Sequence, residues 1–271
     1  MPPTTELLRD PAIDRITPTR RPAGRAIGYH HWSNLLFVHW RLPAEAVRPL
    51  LPAGLKLDTW EGDAWVGLVP FYMSRVRPWW SPPLPGLSYF CETNVRTYVH
   101  REGRDPGVWF FSLDASNSLA VRIARWRWHL PYFRSQMSLQ RAGEGVSYLS
   151  RRIWPGAIGA GCDIRARIGA PLGNDDPDPP LPVGRALPGT LEHFLIERYI
   201  LYAEPAPGRL LAGRVHHQPY PIREAFLEQL DESVLAAAGI SVVAPPCHTV
   251  FSDGVAVEIF PLRECTSGFP A

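Results

Sequence analysis

Residues 89–100, YFCETNVRTYVH, decide the fold. Successive side chains of an extended chain point to opposite faces. Glu92, Asn94, Arg96 and Tyr98 therefore share one face, and Thr93, Val95, Thr97 and Val99 share the other. The second set is β-branched throughout, which suits a pleated, half-buried surface. The first set gathers an acid, an amide, a guanidinium and a phenol. That face is either a solvent side, with Arg96 paired outward in a salt bridge, or the lining of an interior site.

Working outward, a turn at residues 103–107 leads into VWFFSL (108–113), an almost unbroken apolar strand. Asp114 to Asn117 then supply capping side chains for SLAVRIARWRWH (118–129), which reads as a helix of about three turns ended by Pro131. FRSQMSLQRAGEGVSYLSRR (133–152) continues as a hairpin turning at residues 143–145. Upstream, Leu35 to Trp40 form a short apolar run, and PAEAVRPLLPAG (43–54) predicts a short helix. LKLDTWEGDAWVGLVPFYMSRVRP (55–78) predicts a hairpin about Glu61-Gly62-Asp63. The proline-rich loop RPWWSPPLPG (77–86) carries Trp79 and Trp80, either packed on the body or poised over a pocket mouth.

Residues 170–189 hold six prolines in a long connection, the kind of segment that serves as a lid or tether. TLEHFLIERYILYA (190–203) predicts a second amphipathic helix with Leu191, Phe194, Leu195, Tyr199 and Tyr202 on one stripe. A strand over 209–220, a helical stretch near 230–238 and two closing strands complete the chain. No repeat appears. Strands interrupted by a few short helices give an α+β, mainly β class around one curved sheet. The expected organisation is a flexible arm over 1–27, one domain over 28–264 and a tail over 265–271.

Composition narrows the chemistry. Thirty prolines among 271 residues argue against long helices. A net charge of +2 provides no field to attract nucleic acid or anionic lipid. The arginines and aromatic rings between residues 121 and 134 then read as a solvated face. The four cysteines have no Cys-x-x-Cys spacing, which predicts isolated thiols in a reducing, cytoplasmic setting. No stretch approaches the roughly 20 apolar residues of a membrane helix.

The familiar catalytic signatures are missing. The pairs His30-His31 and His216-His217 each place neighbours on opposite faces, so no metal site is expected. Gly-x-Ser-x-Gly does not occur, and GAIGAG (156–161) lacks both a Walker lysine and a Rossmann setting. Lys56 is the only lysine. No cofactor is implied.

The order WSNLLFVHW, LPAGLKLDTWEGDAWVGLVPF, ETNVRTYV, VWFFSLDA, HLPYF and LEHFLIERYILYA resembles the YqjF-like family of conserved bacterial proteins, from about residue 29 to 262. That family looks like a distant branch of the acetoacetate decarboxylase-like superfamily. The resemblance implies a cone-shaped, mostly antiparallel β-barrel with short peripheral helices and a pocket in the cone. In the decarboxylases a Glu-bearing strand, a second strand and a helix precede a Gly-Phe-Pro-Lys-Lys turn, whose first lysine forms a Schiff base. Here the turn is His129-Leu130-Pro131-Tyr132-Phe133, so Tyr132 and Phe133 stand where the two lysines would be. The strand carboxylate falls near Asn94, and Glu92 on the same face is able to replace it.

A phenol cannot form an imine. It can donate a hydrogen bond to a carbonyl or enolate oxygen, or act as a general acid. The decarboxylase lysine is activated by a neighbouring cation, a device without a counterpart here, because Lys56 lies beside a distant turn. The expected function is a small-molecule pocket for an organic acid or carbonyl compound. Tyr132, Asn94, Arg96 and Glu92 are its polar groups, with Trp109 and Phe111 as walls. Arg96 is the natural partner of a carboxylate, since its planar fork matches two oxygens. A non-imine lyase, hydratase or isomerase working through an enolate is one alternative. A non-catalytic regulatory protein is another. The partner expected is a small-molecule ligand, with a homo-oligomer possible and neither nucleic acid nor membrane involved.

Overall fold

β-branched and aromatic runs separated by Gly and Pro turns build strands rather than helices, and the computed structural model follows that pattern over its described residues, 13–173 and 184–265. Thirteen strands form a single sheet. They are β1 Gly28–Leu42, β2 Lys56–Leu57, β3 Ala64–Pro78, β4 Phe90–Arg101, β5 Arg104–Ala115, β6 Tyr132–Ala142 and β7 Gly145–Trp154. The remainder are β8 Gly161–Pro171, β9 Ile200–Ala206, β10 Arg209–His216, β11 Ile222–Glu232, β12 His248–Ile259 and β13 Arg263–Glu264. The α-helices are short: α1 Ala44–Val47, α2 Ser118–Arg127, α3 Leu191–Ile196 and α4 Val234–Ala237. The mainly β class expected from the sequence is the class observed.

Sheet order runs β13-β10-β9-β5-β6-β7-β8-β11-β12-β1-β3-β4-β2, with further pairings β10–β12 and β5–β4. Each extra pairing returns the ladder to itself. One circuit passes through β5, β6, β7, β8, β11, β12, β1, β3 and β4; the other passes through β5, β9, β10, β12, β1, β3 and β4. The strands β12, β1, β3, β4 and β5 belong to both circuits, so they form a wall packed on each side. Alternation along β1 shows this: Leu35 and Phe37 join one apolar core, while Leu36, Val38 and Trp40 join the other. Pairing is antiparallel except where β5 meets β6 and β9.

Three local expectations need correction. The 190–203 helix stops at Ile196, and Ile200 begins a strand that pairs in parallel with Val108 and Trp109 of β5. A long-range strand partner, invisible to local periodicity, overrides the amphipathic pattern. The hairpin about Glu61 to Asp63 reduces to one bridge, Trp60 to Asp63, while Lys56 and Leu57 pair with β4. The chain over 230–238 is strand to Glu232 and helical only at Val234–Ala237.

Near the N-terminus, Arg15 pairs with Asp58 and Arg21 with Glu258, so residues 13–27 lie along the sheet. The central part of the long 170–189 connection, residues 174–183, lies outside the described residues, as do 1–12 and 266–271.

Candidate functional site

Both faces of β4 are buried. Glu92, Asn94, Arg96 and Tyr98 are 4%, 6%, 9% and 0% exposed. Thr93, Val95, Thr97 and Val99 on the other face are buried as well. The polar face is therefore no solvent side, and an outward salt bridge at Arg96 is excluded.

Tyr132 reaches this face through the β5–α2–β6 crossover. The Asn117 side chain caps α2 by accepting from the backbone N–H groups of Leu119 and Ala120. After Arg127 the chain reverses at His129, whose φ of 52° lies in the left-handed region. Pro131 then delivers Tyr132 into β6, opposite Leu113 of β5 in parallel register. Leu113 pairs with Asn94 across β5 and β4, which puts Tyr132 on the same face as Asn94. There the Tyr132 hydroxyl donates a 2.9 Å hydrogen bond to Glu92 Oε2.

Burial pushes the Glu92 carboxyl up to about 8, against the lowering effect of the Tyr132 hydrogen bond and with a raising contribution from Asp114. The Tyr132 phenol is driven well above its ordinary range by burial and by the neighbouring Glu92. Alternation sends the next residue to the opposite face. Phe133 lies beneath Arg152, 3.6 Å from guanidinium carbon to ring centroid. Arg152 in turn grips Asp114 through Nε and Nη2 at 2.9 and 2.7 Å, and Ser135 donates to the same carboxylate.

Arg96 sits beyond Asn94 along the strand. Its Nη2 donates to the Leu195 carbonyl at 3.0 Å, and its guanidinium carbon lies 5.4 Å from the Phe37 ring centroid and 5.7 Å from that of Tyr98. Its Nε is buried without a hydrogen-bond partner, as is Asn94 Oδ1. Among the described residues no carboxylate forms an ion pair with Arg96. A buried guanidinium without a counter-ion is costly, and a bound anion would relieve that cost. Next along the face, the Tyr98 hydroxyl lies 2.8 Å from His39 Nε2, and His39 Nδ1 lies 2.9 Å from His248 Nδ1. Burial, with help from His248 and Arg96, holds His39 well below its usual range.

The structure brings Tyr132, Glu92, Asn94 and Arg96 to one face and separates the two expected walls from them. A register shift in the β4–β5 ladder opposes Val95 to Ser112 and Arg96 to Phe110, so Phe111 is an extra residue in β5. Phe110 consequently joins the core on the Arg96 side. Phe111 packs with the other core, and Trp109 packs beside Val99 and Tyr202. The rings bordering the site are instead Phe110, Phe37 and Phe71, the last paired across the ladder with Glu92. Phe37 belongs to an apolar run, but nothing local marks its face. Trp79 lies under Arg25, at 3.5 Å, and Trp80 is 71% exposed.

Lys56 is exposed and pairs with His100 at the sheet margin, on the two-residue strand β2. The described residues contain no cluster of His, Cys, Asp or Glu suited to a metal ion, and no helix long and apolar enough to cross a membrane.

Comparison with known proteins agrees with this fold. The chain is 33% identical over 243 residues to the protein YqjF of Bacillus subtilis (strain 168), covering 90% of this chain and 94% of that one. Among solved structures it is similar to the enduracididine biosynthesis enzyme MppR complexed with pyruvate, with a TM-score of 0.58 at 14% identity, covering 90% of this chain and 92% of that one. It is also similar to acetoacetate decarboxylase from Legionella pneumophila subsp. pneumophila str. Philadelphia 1, with a TM-score of 0.53 at 13% identity, covering 91% and 94%. At such identities the likeness shows a shared fold. The family model described as an uncharacterized conserved protein (DUF2071) matches residues 29–256. With the acetoacetate decarboxylase-like fold and the YqjF likeness in place, the chain belongs to this family.

Proposed function

We propose that this chain binds a small organic acid or carbonyl compound on the buried polar face of β4, without covalent attachment to an amine. The observation that carries this reading is Arg96. It is a buried guanidinium with an unpartnered Nε and no acidic partner among the described residues. A ligand carboxylate supplies the missing charge and accepts from the fork. Asn94 adds a polar contact beside it. The Tyr132–Glu92 pair faces the rest of the ligand, where a carbonyl oxygen would receive a hydrogen bond. MppR, a protein of the same fold, has been solved in complex with pyruvate, a small oxo acid. That agrees with a ligand of this class here.

A second reading, an enzyme that stabilises an enolate, is favoured by one observation. A carboxyl group held at about 8 carries its proton at neutral pH and exchanges it close to the working range. Protonated Glu92, oriented by the Tyr132 hydroxyl, would then donate to the carbonyl oxygen and stabilise enolate charge there.

Titration calorimetry with pyruvate, 2-oxobutanoate and propanoate tests both. Arg96→Met should weaken all three by about 100-fold, in line with the cost of roughly 2–5 kcal/mol for losing one partner of a buried charged contact. Tyr132→Phe should leave carboxylate affinity within a few-fold and, in an enzyme, lower turnover. Unchanged affinity in Arg96→Met would sink the binding reading.

A further inference from the structure

Among the unpartnered polar atoms of the same interior, two neighbours are complementary. His217 is 3% exposed and lies between two rings: Tyr199 at 4.4 Å, nearly parallel at 20°, and Tyr220 at 4.5 Å. Its Nδ1 is 2.8 Å from the Gln218 carbonyl. A carbonyl oxygen only accepts, so Nδ1 carries a hydrogen. Burial lowers the imidazole to about 4, which leaves it neutral. The tautomer is thereby fixed, and Nε2 presents a lone pair. That atom is buried and has no hydrogen-bond partner.

Trp32 adjoins it, with ring centroids 6.1 Å apart, and the Trp32 Nε1–H donor is likewise buried and unpartnered. The acceptor is held rigidly. Glu197 accepts from the Tyr199 hydroxyl through Oε2 and from the Tyr220 backbone N–H through Oε1, so one carboxyl ties both rings that enclose His217. The cluster joins the Arg96 site through two rings: Tyr220 meets Phe37 at 5.6 Å, and Phe37 meets Arg96. On the other side Trp32 meets Phe71, the residue paired with Glu92.

A neighbouring acceptor and donor are complemented by a group that both gives and takes a hydrogen bond. We infer that the ligand of this site is a hydroxy acid whose hydroxyl lies away from its carboxylate, donating to His217 Nε2 and accepting from Trp32 Nε1–H. The inference rests on the reading of Arg96 as carboxylate anchor and adds the second point of recognition. His217 and Trp32 are its specificity-determining residues. A site built around a polar pair rejects the analogue lacking the hydroxyl because the pair is then left dry and unbonded.

The test uses the full chain and a panel of propanoate, butanoate and pentanoate with their terminally hydroxylated counterparts, measured by calorimetry. One hydroxy acid should bind at least about tenfold tighter than its deoxy analogue. In His217→Phe, which keeps a ring between the tyrosines, and independently in Trp32→Phe, that ratio should fall towards one. The affinity of the deoxy acid should hold or rise, because the pair that it would leave unbonded is broken up. A hydroxyl advantage that survives both substitutions, or acids that bind with no hydroxyl advantage, overturns the inference and leaves the Arg96 reading standing. Failure of every acid to bind the unmodified protein overturns both. Trp32→Phe and the unmodified panel keep the test decisive if His217→Phe does not fold.

Discussion

The Tyr132 hydroxyl and the Glu92 carboxyl are joined by a 2.9 Å hydrogen bond across the ends of two strands that never pair with each other. In this relationship the phenol donates to a carboxyl that burial holds up to about 8. Removing the donor should raise Glu92 further, because the Tyr132 hydrogen bond is what opposes the rise. Carbon-13 NMR of labelled glutamate in Tyr132→Phe should show an upward-shifted titration midpoint. A cost of about 1–3 kcal/mol in stability accompanies loss of the partner to a buried polar group.

Glu92 also shapes the stability curve. Its folded value of about 8 exceeds the ordinary 4.5, so between those values the native state holds a proton that the unfolded chain has released. Stability contributed by this group is fully present below about 4.5 and is lost as pH rises through about 8. Glu197, raised to about 7 by burial, acts in the same sense. His30, His193 and His217, lowered to about 4 by burial, act oppositely between about 4 and 6.5. Glu92→Gln should therefore gain stability relative to the parent as pH climbs from 5 to 9, read as the difference in chemical-denaturation midpoints. A difference that is flat with pH would contradict the assignment.

Arg96 should behave as a binding residue that does little for the fold. A buried charge without a counter-ion costs free energy to hold, which offsets the loss of its hydrogen bond to the Leu195 carbonyl. Arg96→Met should accordingly melt at or above the parent temperature while losing acid affinity. A large drop in melting temperature would place Arg96 among the structural arginines instead.

Arg152 is such an arginine, and the contrast is instructive. It forks onto Asp114 with both residues 1% exposed. Arg152→Met leaves that carboxylate buried and unpaired, at a cost of about 3–5 kcal/mol. Urea unfolding should show the loss directly.

Among the described residues the interior holds no lysine, because the single lysine, Lys56, is exposed. Borohydride reduction in the presence of pyruvate should leave no adduct on peptides from β4, β5 or β6, and any slow labelling should fall on the exposed Lys56 or the N-terminus. A stoichiometric internal adduct, found by peptide mass mapping, would end the non-covalent reading.

Much of this arrangement is legible in the chain itself. Alternation over 89–100 places Glu92, Asn94, Arg96 and Tyr98 together, and capping at Asn117 with Pro131 locates the crossover that carries Tyr132. Two departures share a physical origin in contacts between distant strands. Simple alternation makes Trp109 and Phe111 walls of the site, but an extra residue in β5 shifts the parity and leaves Phe110 facing Arg96. The stripe from Leu191 to Tyr202 has helical spacing, yet Ile200 onward is recruited by β5 and β10. Local sequence marks His217 only as half of a histidine pair. Its fixed tautomer depends on the Gln218 carbonyl and its enclosure on Tyr199, which no spacing rule reveals.

The wall of β12, β1, β3, β4 and β5 limits which substitutions the surroundings of Arg96 tolerate. Because each strand of it serves a second core, a bulkier or smaller side chain beside Arg96 disturbs packing on the far side as well. The partition is stiff, and diversification is channelled to α3 and the segment bearing His217 and Tyr220, whose apolar side chains answer to one core alone.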